Sequence, residues 1–147
     1  MLVRLLPSDV CRMWDQLWPY VEITLSPTSV PSFERGAEVL RAVMEESLVF
    51  WLYEEGNVPI GVITTMMTES DYSAEKELVL YSIAVFPGKK VSKSKLPVAF
   101  ATLRAHATSL GCKRMTTWGY DRVTPKLLRL CGIEEWREYK FYSWRIS

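Results

Sequence analysis

Histidine and cysteine are scarce. The 147 residues hold one His, His106, and three Cys, Cys11, Cys112 and Cys131. Those counts exclude most zinc sites and any multi-His iron site, so no metal is expected. An odd number of widely spaced cysteines is no disulfide framework. The three thiols read as reduced, buried small hydrophobes of a cytoplasmic protein. A nucleophilic thiol would need a base, and His106 is the sole imidazole. No run of about 18 apolar residues occurs, so no membrane span is expected. The stretch Met1-Leu2-Val3-Arg4-Leu5-Leu6-Pro7 is too short in apolar residues for a secretion signal and reads as a first strand. An excess of one charge sign is also missing. Lys+Arg is 18 against 17 for Asp+Glu, which argues against a general nucleic-acid binder.

What is present is a globular balance, with 48% hydrophobic and 24% charged residues. Together with the length, it predicts one domain over 1–147 with a core of its own.

After the first strand, Ser8 or Asp9 can cap a helix, and Val10, Met13, Trp14 and Leu17 follow at helical spacing. Pro19 is expected to end or kink that helix near Trp18. Residues 26–32 hold Pro27 and Pro31 and read as a loop. A helix is predicted from Phe33 to Glu46, with Phe33, Ala37, Leu40 and Met44 on its apolar side.

Leu48 to Tyr53 reads as a buried strand, Glu54-Glu55-Gly56-Asn57 as a hairpin turn, and Val58 to Thr68 as the return strand. Pro59 and Gly61 suggest an edge or bulged start to the return strand. Glu77 to Phe86 is another long strand, stopped by Pro87-Gly88. From Gly88 to Lys95 come four lysines and no acid. Leu96, Phe100, Leu103, Ala107 and Leu110 then mark a helix, with Ser94 as its N-cap and Gly111 as its stop. Arg114 to Trp118 is a strand, and Thr124-Pro125 opens a short helix that Gly132 ends. Trp136 to Ile146 alternates aromatic and polar residues as closing strands. Aromatics on both faces there are a candidate surface for a protein partner or a homodimer.

This order predicts an α/β (α+β) domain on one central sheet with helices on both faces. A strand, a basic loop and a helix in succession suit anion binding, because N–H groups at a helix start face outward and the dipole favours negative charge.

Two stretches carry a family resemblance. The strand ends Ile83-Ala84-Val85-Phe86-Pro87, and the loop continues Gly88-Lys89-Lys90-Val91-Ser92-Lys93-Ser94. This resembles the Val-x-Pro strand end and the Arg/Gln-x-x-Gly-x-Gly/Ala loop of the GCN5-related N-acetyltransferase (GNAT) superfamily. Lys89 then stands in the Arg position, and Ser92 and Ser94 stand in the two Gly positions. Further on, Asp121, Thr124, Leu127-Leu128 and Gly132-Ile133 match the spacing of that family's Asn-x-x-Ser/Ala-x-x-Leu-Tyr-x-x-x-Gly-Phe signature. Leu128 occupies the position where many members carry a Tyr that protonates the CoA thiolate, and a leucine donates no proton.

The resemblance implies a GNAT-like fold with a mostly antiparallel mixed sheet. It also implies acetyl-CoA as cosubstrate, held by Ile83, Ala84, Val85, Lys89, Lys90, Val91, Ser92, Lys93, Ser94 and Asp121. The reaction would be acyl transfer from that thioester to an amine. Tyr81, Ser82 and Glu77, all on the fourth strand, are the candidate catalytic residues. Successive strand side chains alternate, so Tyr81 and Ser82 should point to opposite faces. The lost glycines and tyrosine keep a second reading open: a GNAT-fold interaction or structural protein without catalysis. Phage-encoded members of the fold, some virion-associated, are similar in having degenerate loops.

Overall fold

The computed structural model describes residues 1–25, 33–69, 74–117 and 123–133. In chain order the elements are β1 (Leu2–Arg4), α1 (Pro7–Arg12), α2 (Trp14–Leu25), α3 (Phe33–Met44), β2 (Leu48–Glu55), β3 (Val58–Glu69), β4 (Lys76–Val85), a single 3-10 turn (Lys93–Lys95), α4 (Leu96–Ser109), β5 (Arg114–Thr117) and α5 (Val123–Leu130). The strands lie side by side in sequence order. All neighbouring pairs are antiparallel except β4 with β5, which is parallel. The mixed, mostly antiparallel sheet is as expected. The closing strands proposed over 136–146 lie outside the described residues.

Each face of the sheet has its own core. On one side Val10, Leu17, Val21, Val39 and Val43 from α1–α3 pack on Phe50 and Val62. On the other, Ala99, Phe100 and Leu103 of α4 pack on Trp51, Ile63 and Leu80. Phe50, Val62 and Leu103 have essentially no exposure, so these layers carry most of the hydrophobic stabilisation.

Several local expectations are corrected. Pro19 neither ends nor breaks α2, which runs on to Leu25. The break falls earlier, at Met13, whose N–H bonds the Asp9 carbonyl. Proline costs the helix one backbone bond, and burial of Leu17 and Val21 on either side of it holds the path. The α1 cap is Leu6 rather than Ser8 or Asp9; Asp9 instead accepts from the Leu6 N–H at 3.1 Å.

The apolar side of α3 is rotated from the expected one. Val39 and Val43 are buried, whereas Ala37 and Met44 are exposed. Gly36 shares the buried side with Val39 and Val43, and a Cβ there would meet the Trp18 indole at 3.2 Å, so the α3 backbone sits close to that ring. Cys11 is exposed, contrary to the expected buried thiol, while Cys131 is buried.

The hairpin forms where expected. Gly56 and Asn57 both have positive φ, 57° and 62°, as a tight turn matched to strand twist requires. The bulged start of β3 is also present, since the register shifts between Tyr53 and Glu54.

Candidate active site

β4 makes the site. It pairs with β3 along its length, from Lys76 to Val85. Its ladder with β5 runs over Glu77–Arg114 to Leu80–Thr117, and among the described residues it stops there. Beyond that point Ile83 and Val85 leave 36% and 48% of their surface exposed. They border a cavity of about 50 Å³ walled by β3 and β4, by Leu96, Ala99 and Phe100 of α4, and by Leu127 of α5. Gly61 on β3 lets the wall close up, because a Cβ there would lie 2.3 Å from the Ala84 carbonyl oxygen. The cavity lining is apolar apart from Tyr53, whose ring contributes from β2.

A second register shift sits in the same place. Thr64 faces Ser82, but Thr65 faces Leu80, so Tyr81 is the extra residue of a β-bulge. The bulge cancels the expected alternation. Tyr81 packs against the α1–α3 core, and the Ser82 hydroxyl bonds Thr64 at 2.6 Å, between Val62 and Met66 of that same core. Both side chains therefore lie on the sheet face opposite α4, and Ser82 is buried. Glu77 stands apart. It faces Thr68 on β3 and Arg114 on β5, eight residues before Val85, or roughly 26 Å along a strand.

Of the ten residues tied to a cosubstrate by resemblance, Ile83, Ala84, Val85 and Val91 line the cavity. Ser92 is half-buried next to Val91, and Lys89, Lys90, Lys93 and Ser94 are exposed. Asp121 lies outside the described residues. Ser94 does not cap α4; Ser92 takes the N-cap position of the 3-10 turn that leads into it. The loop itself turns at Gly88, with φ of 72° and a Lys89 N–H to Phe86 carbonyl bond of 3.1 Å.

Sequence reasoning missed Tyr53 and Glu55. Glu55 Oε1 accepts the Ser92 N–H at 2.9 Å, and Oε2 accepts the Ser92 hydroxyl at 3.0 Å. The Tyr53 hydroxyl donates to Oε1 at 2.7 Å. The Tyr53 bond and the Ser92 N–H hold the Glu55 carboxyl below the usual carboxylate range, helped by the Lys95 charge. Tyr53 is pushed up to about 12, by burial first and by its carboxylate partner second. The signal that could have found this pair is faint: an acid at a hairpin tip and a serine 37 residues later.

The remaining titratable groups lie elsewhere. His106 packs edge-on to Trp51 at 4.9 Å, with its pKa lowered by burial and by Arg4. Burial pushes the Cys131 thiol up to about 11, so it stays protonated at neutral pH. Among the described residues no group of three or more His, Cys, Asp or Glu could hold a metal ion, and no helix is long and apolar enough to cross a membrane.

No family model and no curated protein matches the chain. Solved structures do. A probable acetyltransferase superposes with a TM-score of 0.71 at 17% identity, over 100% of this chain and 99% of that one. The aminoglycoside acetyltransferase AAC(6')-Iy, in complex with the bisubstrate analogue CoA-S-monomethyl-acetylneamine, gives 0.68 at 17% identity, over 99% and 97%. The aminoglycoside acetyltransferase meta-AAC0020, from an uncultured soil metagenomic sample and in complex with sisomicin, gives 0.67 at 16% identity, over 99% and 96%. The class is thus defined by architecture: the chain has the GNAT acetyltransferase fold.

Proposed function

We propose that the chain is an acyl-CoA-dependent N-acyltransferase that moves the acetyl group of acetyl-CoA onto an amine. The observation that carries the reading is the stretch of β4 beyond its last described pair with β5. Among the described residues no strand pairs with Ile83–Val85 on that side, and Ile83 and Val85 are exposed beside a cavity. A pantetheine arm is an extended chain with two amides and short methylene runs. It suits a strand edge, which pairs amides, and an apolar wall, which takes methylenes. The lysine-bearing loop and the start of α4 lie at the end of that edge. There the Ser92 N–H and the charges of Lys89 and Lys90 suit phosphate. One structural neighbour was solved with CoA and an amine joined in one molecule, which supports the same pairing of substrates.

In the reaction, the neutral amine adds to the thioester carbonyl, the C–S bond breaks, and the nitrogen loses a proton to solvent or a base. The departing thiolate takes up a proton. The Tyr81–Ser82 bulge, adjoining the last β4–β5 pair, is where the carbonyl would sit. With Leu128 in α5, the thiolate draws its proton from water. Glu77 stands too far along β4 to take a proton from an amine attacking there.

Calorimetric titration of acetyl-CoA tests the reading. A micromolar dissociation constant is expected, and no heat at ~1 mM, where binding is worth only about 4 kcal/mol, refutes it. Turnover over a panel of amines is best followed by loss of thioester absorbance, because exposed Cys11 would itself react with thiol reagents.

A further inference from the structure

Glu55 does something that the fold alone does not require. It reaches from the tip of the β2–β3 hairpin to the loop before α4 and fills both hydrogen-bond donors of Ser92 with its two oxygens, at 2.9 and 3.0 Å. A carboxylate that accepts the backbone N–H and the hydroxyl of Ser92, in the loop just before the 3-10 turn, satisfies the same donors as one edge of a phosphate would.

We propose that Glu55 is an internal competitor for the phosphates of the acyl donor, so that it sets donor affinity and must leave Ser92 before the loop can take a phosphate. This rests on the reading of the loop and β4 edge as a CoA site. Two anions cannot share one N–H: the second meets both an occupied donor and a like charge a few ångströms away.

Tyr53 ties the contact to the cavity. Its hydroxyl holds Glu55 at 2.7 Å while its ring lines the cavity wall. Release of Glu55 therefore frees the tyrosine hydroxyl at the edge of the apolar channel. Gly56 and Asn57, with their left-handed φ, complete the tight turn that presents Glu55 from the hairpin tip. A substitution at Glu55 leaves the two turn residues, Gly56 and Asn57, unchanged.

The test compares CoA, which carries phosphates, with pantetheine, which carries none, by calorimetry on the wild type, Glu55→Gln and Glu55→Ala. Melting curves verify that each variant is folded. Both variants should bind CoA about tenfold more tightly than wild type, with pantetheine affinity unchanged. Tyr53→Phe, which loosens Glu55 without removing it, should give a smaller gain in CoA affinity. CoA binding to the wild type with equal or weaker binding to both Glu55 variants overturns the proposal and makes Glu55 a structural cap. An equal gain for pantetheine also overturns it, because the effect would then not act on phosphate. If neither ligand binds any of the proteins, the CoA-site reading fails and takes the proposal with it.

Discussion

Filling the cavity beside β4 should make the protein more stable and less able to bind the proposed acyl donor. Ala99 is buried on α4 and lines the void, and Leu is nearly as good a helix former as Ala. Empty volume costs about 24 cal/mol per Å³, so removing a void of about 50 Å³ stabilises by at most about 1.2 kcal/mol. Unfolding entropy is about 2.1 cal/mol/K per residue, or roughly 0.3 kcal/mol/K for 147 residues. Ala99→Leu should therefore raise Tm by up to about 4 °C. The same three carbons occupy the space proposed for the pantetheine arm, and acetyl-CoA affinity should fall by at least about tenfold, equivalent to 1.4 kcal/mol. Differential scanning calorimetry and titration on one preparation read both quantities. A variant that melts several degrees below wild type would show overpacking and refute the claim that the void has room. A folded variant that binds acetyl-CoA as wild type does would refute the claim that this void is the donor's path.

Other expectations follow from neighbouring residues. Lys89→Ala with Lys90→Ala should weaken acetyl-CoA binding about three- to tenfold and flatten its dependence on salt, since exposed charges act through a screened field; calorimetry at two ionic strengths reads this. Tyr53 should ionise near pH 12 instead of 10.0. A raised folded-state pKa means that its stabilisation is complete below pH 10 and is lost as pH climbs toward 12. Phenolate absorbance should show a late step absent from Tyr53→Phe, and denaturant melts should lose stability in that window more steeply for wild type; equal slopes refute it. Thr64→Val strands the buried Ser82 hydroxyl and should cost about 1–3 kcal/mol. Thr64→Val with Ser82→Ala should recover most of that loss, as a double-mutant cycle by chemical denaturation would show.

Element order was legible because local signals spell it. Gly56-Asn57, Gly111 and Gly132 all take positive φ at the turn and helix stops the sequence marks. The Ile133 N–H to Leu128 carbonyl bond of 2.9 Å closes α5 behind Gly132 as expected of a helix end. What escaped was decided between elements. The buried side of α3 brings Gly36 against the Trp18 ring, a contact between two helices that the periodicity of α3 alone does not spell out. The bulge at Tyr81 arises from pairing with Thr64 and Thr65, so alternation along β4 alone gave Tyr81 and Ser82 opposite faces. The basic loop was legible as a charge cluster, yet the partner of Ser92 comes from a hairpin far upstream.

The same stretch of β4 carries a hazard. Among the described residues no strand lies on the outer side of Ile83–Val85, and a strand edge flanked by exposed Ile83 and Val85 is as good a template for a foreign strand as for the proposed pantetheine arm. The residues that follow act against that outcome. Pro87 cannot donate to a ladder, Gly88 turns the chain away, and exposed Lys89 and Lys90 bring like charges together when two such edges approach. The protein alone should therefore be most prone to self-association when high salt screens those lysines, and, if acyl-CoA lies along that edge as proposed, saturation with it should act as a solubiliser.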